Sequence, residues 1–371
     1  MNVNKAISAA TRRGINWMAT AIALAAVSVT GAAQTMSSTA ELKLACETSP
    51  GNVVTLNQNT QISTGPAAPL AEIVNTRCTI VVAPQVTFEA SQVSMTFSGP
   101  LTIQAGNEGR ALFLESSFVA PSVNVSLANL GGLLVERSLL RASVGSLAIS
   151  SGVENFVDVR GPLVGGGLVA NRSISISGGQ KFLGSLTDAE VRAGTGIAVN
   201  MTGAEAQFIS TNSLINTTGG AININSNGEK SFVEFKLGAV ATGRAGVNVN
   251  LLGAESTINA NEFTLSSAAG AVNLRTGASK GAITLALGTI TAGTAANIQA
   301  SLTGSEGKAL LQNANVAAAG AIRIETGALG NTEAIDNSLV SNTLVRILGG
   351  AGGTCKSQNN IINAPTQQIC L

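Results

Sequence analysis

From Gly196 to Thr326 one short apolar phrase keeps returning: IAVN at Ile197, ININ at Ile222, VNVN at Val247, VNLR at Val272, ANIQ at Ala296 and IRIE at Ile322. Its first positions stand 25, 25, 25, 24 and 26 residues apart. Within each phrase apolar and polar residues alternate, so Ile222 and Ile224 share one side of a strand while Asn223 and Asn225 share the other. A fixed period of this length, with period two inside it, marks a solenoid in which every turn of chain adds one strand to each of several parallel sheets.

Working outward, about six residues after each phrase comes a turn glycine: Gly203, Gly228, Gly253, Gly277, Gly304 and Gly327. Glycine tolerates positive φ, and the corner is expected to use it there. A second apolar segment follows, as at Phe208, Phe232, Ile283 and Ala309, then a short corner at Asn212, Gly238, Gly288 or Asn313. A third segment at Ser213, Ala239, Thr289 and Asn315 completes the coil. The phrase extends back through Ile174, Leu147, Val123 and Leu101 and forward to Val345, ten intervals that average 24.4 residues. The reading is an all-β, single-stranded parallel β-helix with about 25 residues and three strands per coil. Its expected hand is right, the hand of nearly all parallel crossovers.

Four segments are expected. Residues 1–33 read as a signal peptide, with Lys5, Arg12 and Arg13 before a mostly apolar run and small residues at Gly31, Ala32 and Ala33. Residues 34–98 read as an N-terminal cap and first irregular coil, 99–348 as the β-helix and 349–371 as a C-terminal cap. The tail is expected to fold over the last coil as a loop. The four cysteines fall in two close pairs, and local pairing of Cys46 with Cys78 and Cys355 with Cys370 is the simplest of the three connectivities. Such bridges imply an exported chain in an oxidising compartment.

Charge and composition narrow the function. Only 11% of residues are charged, and without the signal's three cations the chain carries 18 Lys plus Arg against 20 Asp plus Glu. No basic stripe exists to follow a phosphate backbone, so nucleic acid is not an expected partner. Once the signal is removed, no membrane insertion is expected either. There is no His and no Tyr, and the sole Trp, Trp17, lies in the signal. Histidine-based triads and histidine-ligated metals are thereby excluded, and no cofactor or metal is expected.

The coil period, over about residues 80–348, resembles the right-handed β-helix superfold of pectate lyases, polygalacturonases and many secreted, adhesin-like bacterial surface proteins. In the enzymes the resemblance implies clustered Asp residues, with a catalytic His or a basic residue beside calcium. This chain has three Asp in all, Asp158, Asp188 and Asp336, and those motifs are missing.

If the chain were an enzyme, its site would be sought at DVR and AEVR. Asp158 with Arg160, and Glu190 with Arg192, are two apart and face the same way on a strand. Stacking of neighbouring coils would bring Asp188 near Asp158, a carboxylate pair flanked by guanidinium groups. Surface ion pairing is the plainer account. A column of acids is read after the turn glycines, at Glu205, Glu229, Glu255 and Glu306, with Lys280 in the remaining place. Asn223, Asn248, Asn273 and Asn297 are expected to stack as an outward amide ladder.

Three functional classes follow from the sequence. The favoured one is a non-catalytic extracellular or cell-surface protein, adhesin-like or structural in the envelope, with a surface glycan or protein polymer as partner. The alternatives are a β-helix polysaccharide lyase or hydrolase, and a secreted, self-associating fibre subunit. The outer surface is the expected location and the periplasm the alternative.

Overall fold

The computed structural model describes residues 36–63, 71–161, 166–277 and 279–370, so the signal segment lies outside the described residues. The described chain coils about 13 times, with roughly 24 residues per turn. Each coil contributes one strand to each of three faces, and the recorded strand pairs are parallel.

The first face is a sheet of 14 strands that runs from Val53–Leu56 to Thr366–Ile369. The second and third faces join into one sheet of 24 strands because Phe232–Gly243 and Thr257–Ser267 each pass straight through the corner between them. At a spacing of about 4.8 Å per rung, the stack is about 60 Å long. Alternation decides burial as the sequence reading requires. Ile222, Ile224, Val247 and Val249 are fully buried, while Asn223, Asn225, Asn248 and Asn250 between them are half-buried on the outer side.

One phrase was displaced. Val272 pairs with Ile298 and Asn273 with Gln299, so the repeat at this coil is IQAS rather than ANIQ. Asn297 lies in the approach to the strand, where its carbonyl accepts from Val272 N at 3.0 Å and its Oδ1 from Ala321 N at 2.7 Å.

The corner glycines are there for a different reason from the one expected. None of Gly203, Gly228, Gly253 or Gly327 has positive φ; the left-handed residue stands two positions later, at Glu205 (60°), Lys230 (55°), Glu255 (56°) and Leu329 (55°). Glycine is required by stacking. A Cβ on Gly228 would lie 1.9 Å from the Gly203 carbonyl oxygen, and one on Gly253 1.9 Å from that of Gly228. The left-handed residue aims its N–H along the axis. Glu205 N donates to Glu229 O at 2.8 Å, Lys230 N to Ala254 O at 2.8 Å and Lys280 N to Ser305 O at 2.8 Å.

Buried polar side chains satisfy the corners that glycine leaves open. Ser116 Oγ accepts from Val93 N at 3.1 Å, Asn155 Oδ1 from Gly131 N at 2.5 Å and Asn337 Oδ1 from Ala314 N at 2.9 Å. Inside, the early coils are aromatic, with Phe113 packed edge-on between Phe88 and Phe118 at centroid distances of 6.1 and 4.8 Å.

The two ends differ from the expectation and from each other. Residues 39–48, within the segment read as an N-terminal cap and first irregular coil, form a helix, α1 (Thr39–Thr48), that opens with a capping box between Ser38 and Glu41. It buries Thr39, Leu42 and Cys46 over the open first coil, and Cys46 is bonded to Cys78 on the next rung. Pairing is already regular at Val53, opposite Thr79. The C-terminal tail forms a further coil instead of a loop: Cys355–Gln358, Ile361–Asn363 and Thr366–Ile369 each pair with the rung before. Cys355 is bonded to Cys370 across this last coil.

Candidate functional site

Coil register separates the charged residues that the sequence placed together. Asp158 and Arg160 lie on Phe156–Arg160 of the second face, Glu190 and Arg192 on Glu190–Ala193 of the third. Asp188 occupies the corner between those faces, with φ of 52° and an exposed side chain that accepts from Asn212 Nδ2 at 2.6 Å. Asp158 has Leu134 and Ser185 as its lateral neighbours. The expected Asp158–Asp188 carboxylate pair is therefore not assembled: Asp188 lies three positions beyond Ser185, the lateral neighbour of Asp158, and so is carried round the corner.

Within each strand the two-residue spacing does produce ion pairs. Arg160 Nη2 lies 2.5 Å from Asp158 Oδ2, and Arg192 Nη1 lies 3.8 Å from Glu190 Oε1. Asp158 is unusual among them because it points outward yet is only 4% exposed. Its Oδ1 has no hydrogen-bond partner. Burial raises its pKa above the ordinary carboxylate value, and Arg160 and Ser185 offset part of that rise. Sequence alternation alone missed this, since burial of an outward residue depends on which side chains flank it on neighbouring rungs.

The acid column is also re-registered. The left-handed corner position reads Glu154, Lys181, Glu205, Lys230, Glu255, Lys280 and Glu306 on successive coils, so its charge alternates. Glu229 precedes Lys230 and is not in the column. Lys181 Nζ meets Glu154 Oε1 at 2.7 Å, and that hydrogen bond and charge raise the lysine's pKa. Alternation removes the like-charge repulsion that an all-acid column would carry. Among the described residues no group of three or more His, Cys, Asp or Glu could hold a metal ion.

On the first face the amide ladder is real but arranged differently. Asn273 Nδ2 donates to Asn248 Oδ1 at 2.7 Å, and Asn248 Nδ2 to Asn223 Oδ1 at 2.9 Å. A second, parallel ladder runs from Asn250 to Asn225 at 3.1 Å and from Asn225 to Asn200 at 3.2 Å. Asn297 belongs to neither. The second ladder was legible in the fourth residue of IAVN, ININ and VNVN.

The two disulfides belong to an oxidising environment, extracellular or periplasmic. Among the described residues no helix is long and apolar enough to cross a membrane. No family model matches the chain, and no curated protein or solved structure is significantly similar to it.

Proposed function

We propose that this chain is a non-catalytic extracellular or cell-surface β-helix protein, adhesin-like or structural in the envelope, and that residues 1–33 export it. The observation that carries the reading is the pair of asparagine ladders. They hold six amide side chains in two columns on a half-buried face, each fixed by the residue one coil away. Amides locked at strand spacing lose little freedom on contact with a partner. Each contact is weak, and many along one rod or across clustered rods add up. The partner class is a surface glycan or protein polymer that offers hydrogen-bonding groups along its length.

Immunolabelling of intact cells, with attachment assays on a deletion strain, tests the location and the role together. The reading expects surface label and weakened attachment. In the purified protein, Asn225→Ala with Asn248→Ala should weaken binding of bead-clustered rods to the polymer at temperatures where the variant is still fully folded, although loss of four ladder hydrogen bonds lowers its melting temperature. Confinement to the periplasm, or normal attachment together with failure to use a polysaccharide, would overturn it.

A second reading has one observation in its favour. A buried carboxylate with raised pKa beside a guanidinium group is the equipment of a general acid, so Asp158 supports the lyase or hydrolase alternative. Glycan turnover that is lost in Asp158→Asn would favour it. The fibre alternative has the helix-sealed end against it, because head-to-tail stacking needs both ends open.

A further inference from the structure

The two asparagine columns of the first face continue past their ladders. Lateral pairing takes the first from Asn248 and Asn273 through Gln299 to Arg323 and Arg346, and the second from Asn250 to Arg275, Ser301 and Glu325. The first nine strands of this sheet, from Val53–Leu56 to Gly246–Leu251, hold no charged residue. Its charges are Arg275, Arg323, Glu325 and Arg346, three cations against one acid, gathered within four consecutive rungs.

One acid does not neutralise them. Glu325 is engaged by Arg346, whose Nε lies 3.1 Å from Glu325 Oε1. Arg275 and Arg323 are exposed, and neither pairs with an acid among the described residues. Arg323 and Arg346 are lateral partners, so two guanidinium groups are rooted one rung, about 4.8 Å, apart. Like charges stacked in this way repel, and an anion laid between them replaces the repulsion by attraction to both.

Residue type and spacing choose the anion. A guanidinium fork grips two oxygens of a carboxylate or a phosphate at once. A carboxylate has one such edge and one charge, and a single arginine saturates it. A phosphate monoester has three acceptor oxygens and a charge of about −1.5 to −2 at neutral pH, which suits two stacked arginines.

We infer that Arg323 and Arg346 bind a phosphate monoester group of a glycan whose sugar hydroxyls lie along the asparagine columns. This rests on the surface-binding role proposed above and specifies its partner as a phosphorylated glycan. The amides offer donors and acceptors to neutral hydroxyls, and the arginines fix the polymer's register at the charged end. Arg275, two rungs before Arg323 and about 10 Å from it along the axis, is placed for a second phosphate of the same polymer.

The test is retention of the purified full chain on beads that display pentamannosyl phosphate. Three comparisons run beside it: the same beads after phosphatase treatment, polygalacturonate beads, and phosphatidylcholine vesicles containing phosphatidic acid. Retention on the phosphorylated beads should exceed each of these by about tenfold and fall as salt rises. Arg323→Gln should lose about tenfold in affinity and Arg275→Gln less, both with the wild-type melting temperature, because the side chains are exposed and pair with no acid. Lys308→Gln, an exposed cation on the second face, should bind as the wild type does. Equal retention after phosphatase treatment would overturn the phosphate assignment alone, since the attachment assay decides the surface role separately. Equal retention by polygalacturonate, equal or stronger capture by the vesicles, or wild-type binding by Arg323→Gln would each overturn the inference as well.

Discussion

Val247 and Asn248 are adjacent in sequence and opposite in environment. Val247 is 0% exposed in a narrow core, and a carboxylate there would have neither water nor a partner, so Val247→Asp should cost several kcal/mol (on the order of 3–5). Asn248→Asp keeps the acceptor that Asn273 uses and loses the donor to Asn223, a cost of about 1 kcal/mol. Urea unfolding of the two variants checks the difference. Asp158 makes the converse case, since it already is a buried carboxylate. Its folded pKa is raised, so its stability contribution is intact below the unfolded pKa and is lost as pH rises through the folded value. Asp158→Leu, which matches Leu134 beside it, should therefore gain on the order of 1 kcal/mol at neutral pH, and the gain should vanish in acid as the wild type protonates. Thermal melts across pH measure this. Inside or outside was legible for Val247 and Asn248 because alternation is local. The burial of Asp158 was not, because Leu134 and Ser185 come from coils 24 and 27 residues away in sequence.

At the scale of the corner, two properties of glycine were confounded in the sequence. A recurring glycine signals either a left-handed backbone or an approach too close for a Cβ, and spacing alone does not separate them. Here the roles are split between neighbours, with the close approach at Gly228 and the left-handed φ at Lys230. Gly228→Ala should accordingly destabilise by about 3 kcal/mol, since backbone of the neighbouring coil must move. Lys230→Gly should be within about 1 kcal/mol of neutral, because relief of the left-handed strain and the extra freedom of the unfolded chain nearly cancel. Were the glycines present for φ, the order of the two effects would reverse, and equilibrium denaturation of both variants distinguishes the cases. The same confusion misplaced Glu229 in the acid column. Counting from the glycine gives the corner, but only the positive-φ residue fixes which side chain stacks on which.

Across the whole molecule each coil touches only its neighbours, so stability is a local quantity that changes from end to end. The period made this architecture legible from the sequence, while the end structures were opaque because neither α1 nor the final coil repeats the internal phrase. Those ends now differ in what holds them. Cys46, on the buried side of α1, and Cys78 are 0% exposed, whereas Cys355 and Cys370 are partly exposed on the last rung among the described residues. A thiolate reductant reaches the second bridge directly and the first only after the cap opens, since thiol–disulfide exchange needs access to the sulfur. In dilute protein, mild reduction should therefore cleave Cys355–Cys370 first and sharply lower the amide protection of Ile361–Asn363 and Thr366–Ile369, with Val53–Leu56 unchanged. Losing the bridge removes a closed loop worth about 3 kcal/mol in the chain-entropy model, enough to fray one rung. The unfolding of the central coils should scarcely move, because no contact reaches them from the last rung except through the coils between. Mass-resolved hydrogen exchange during stepwise reduction follows both ends at once. Simultaneous loss of protection at the two ends would mean that the rod unfolds as one cooperative block, and that the asymmetry of its ends has no energetic consequence.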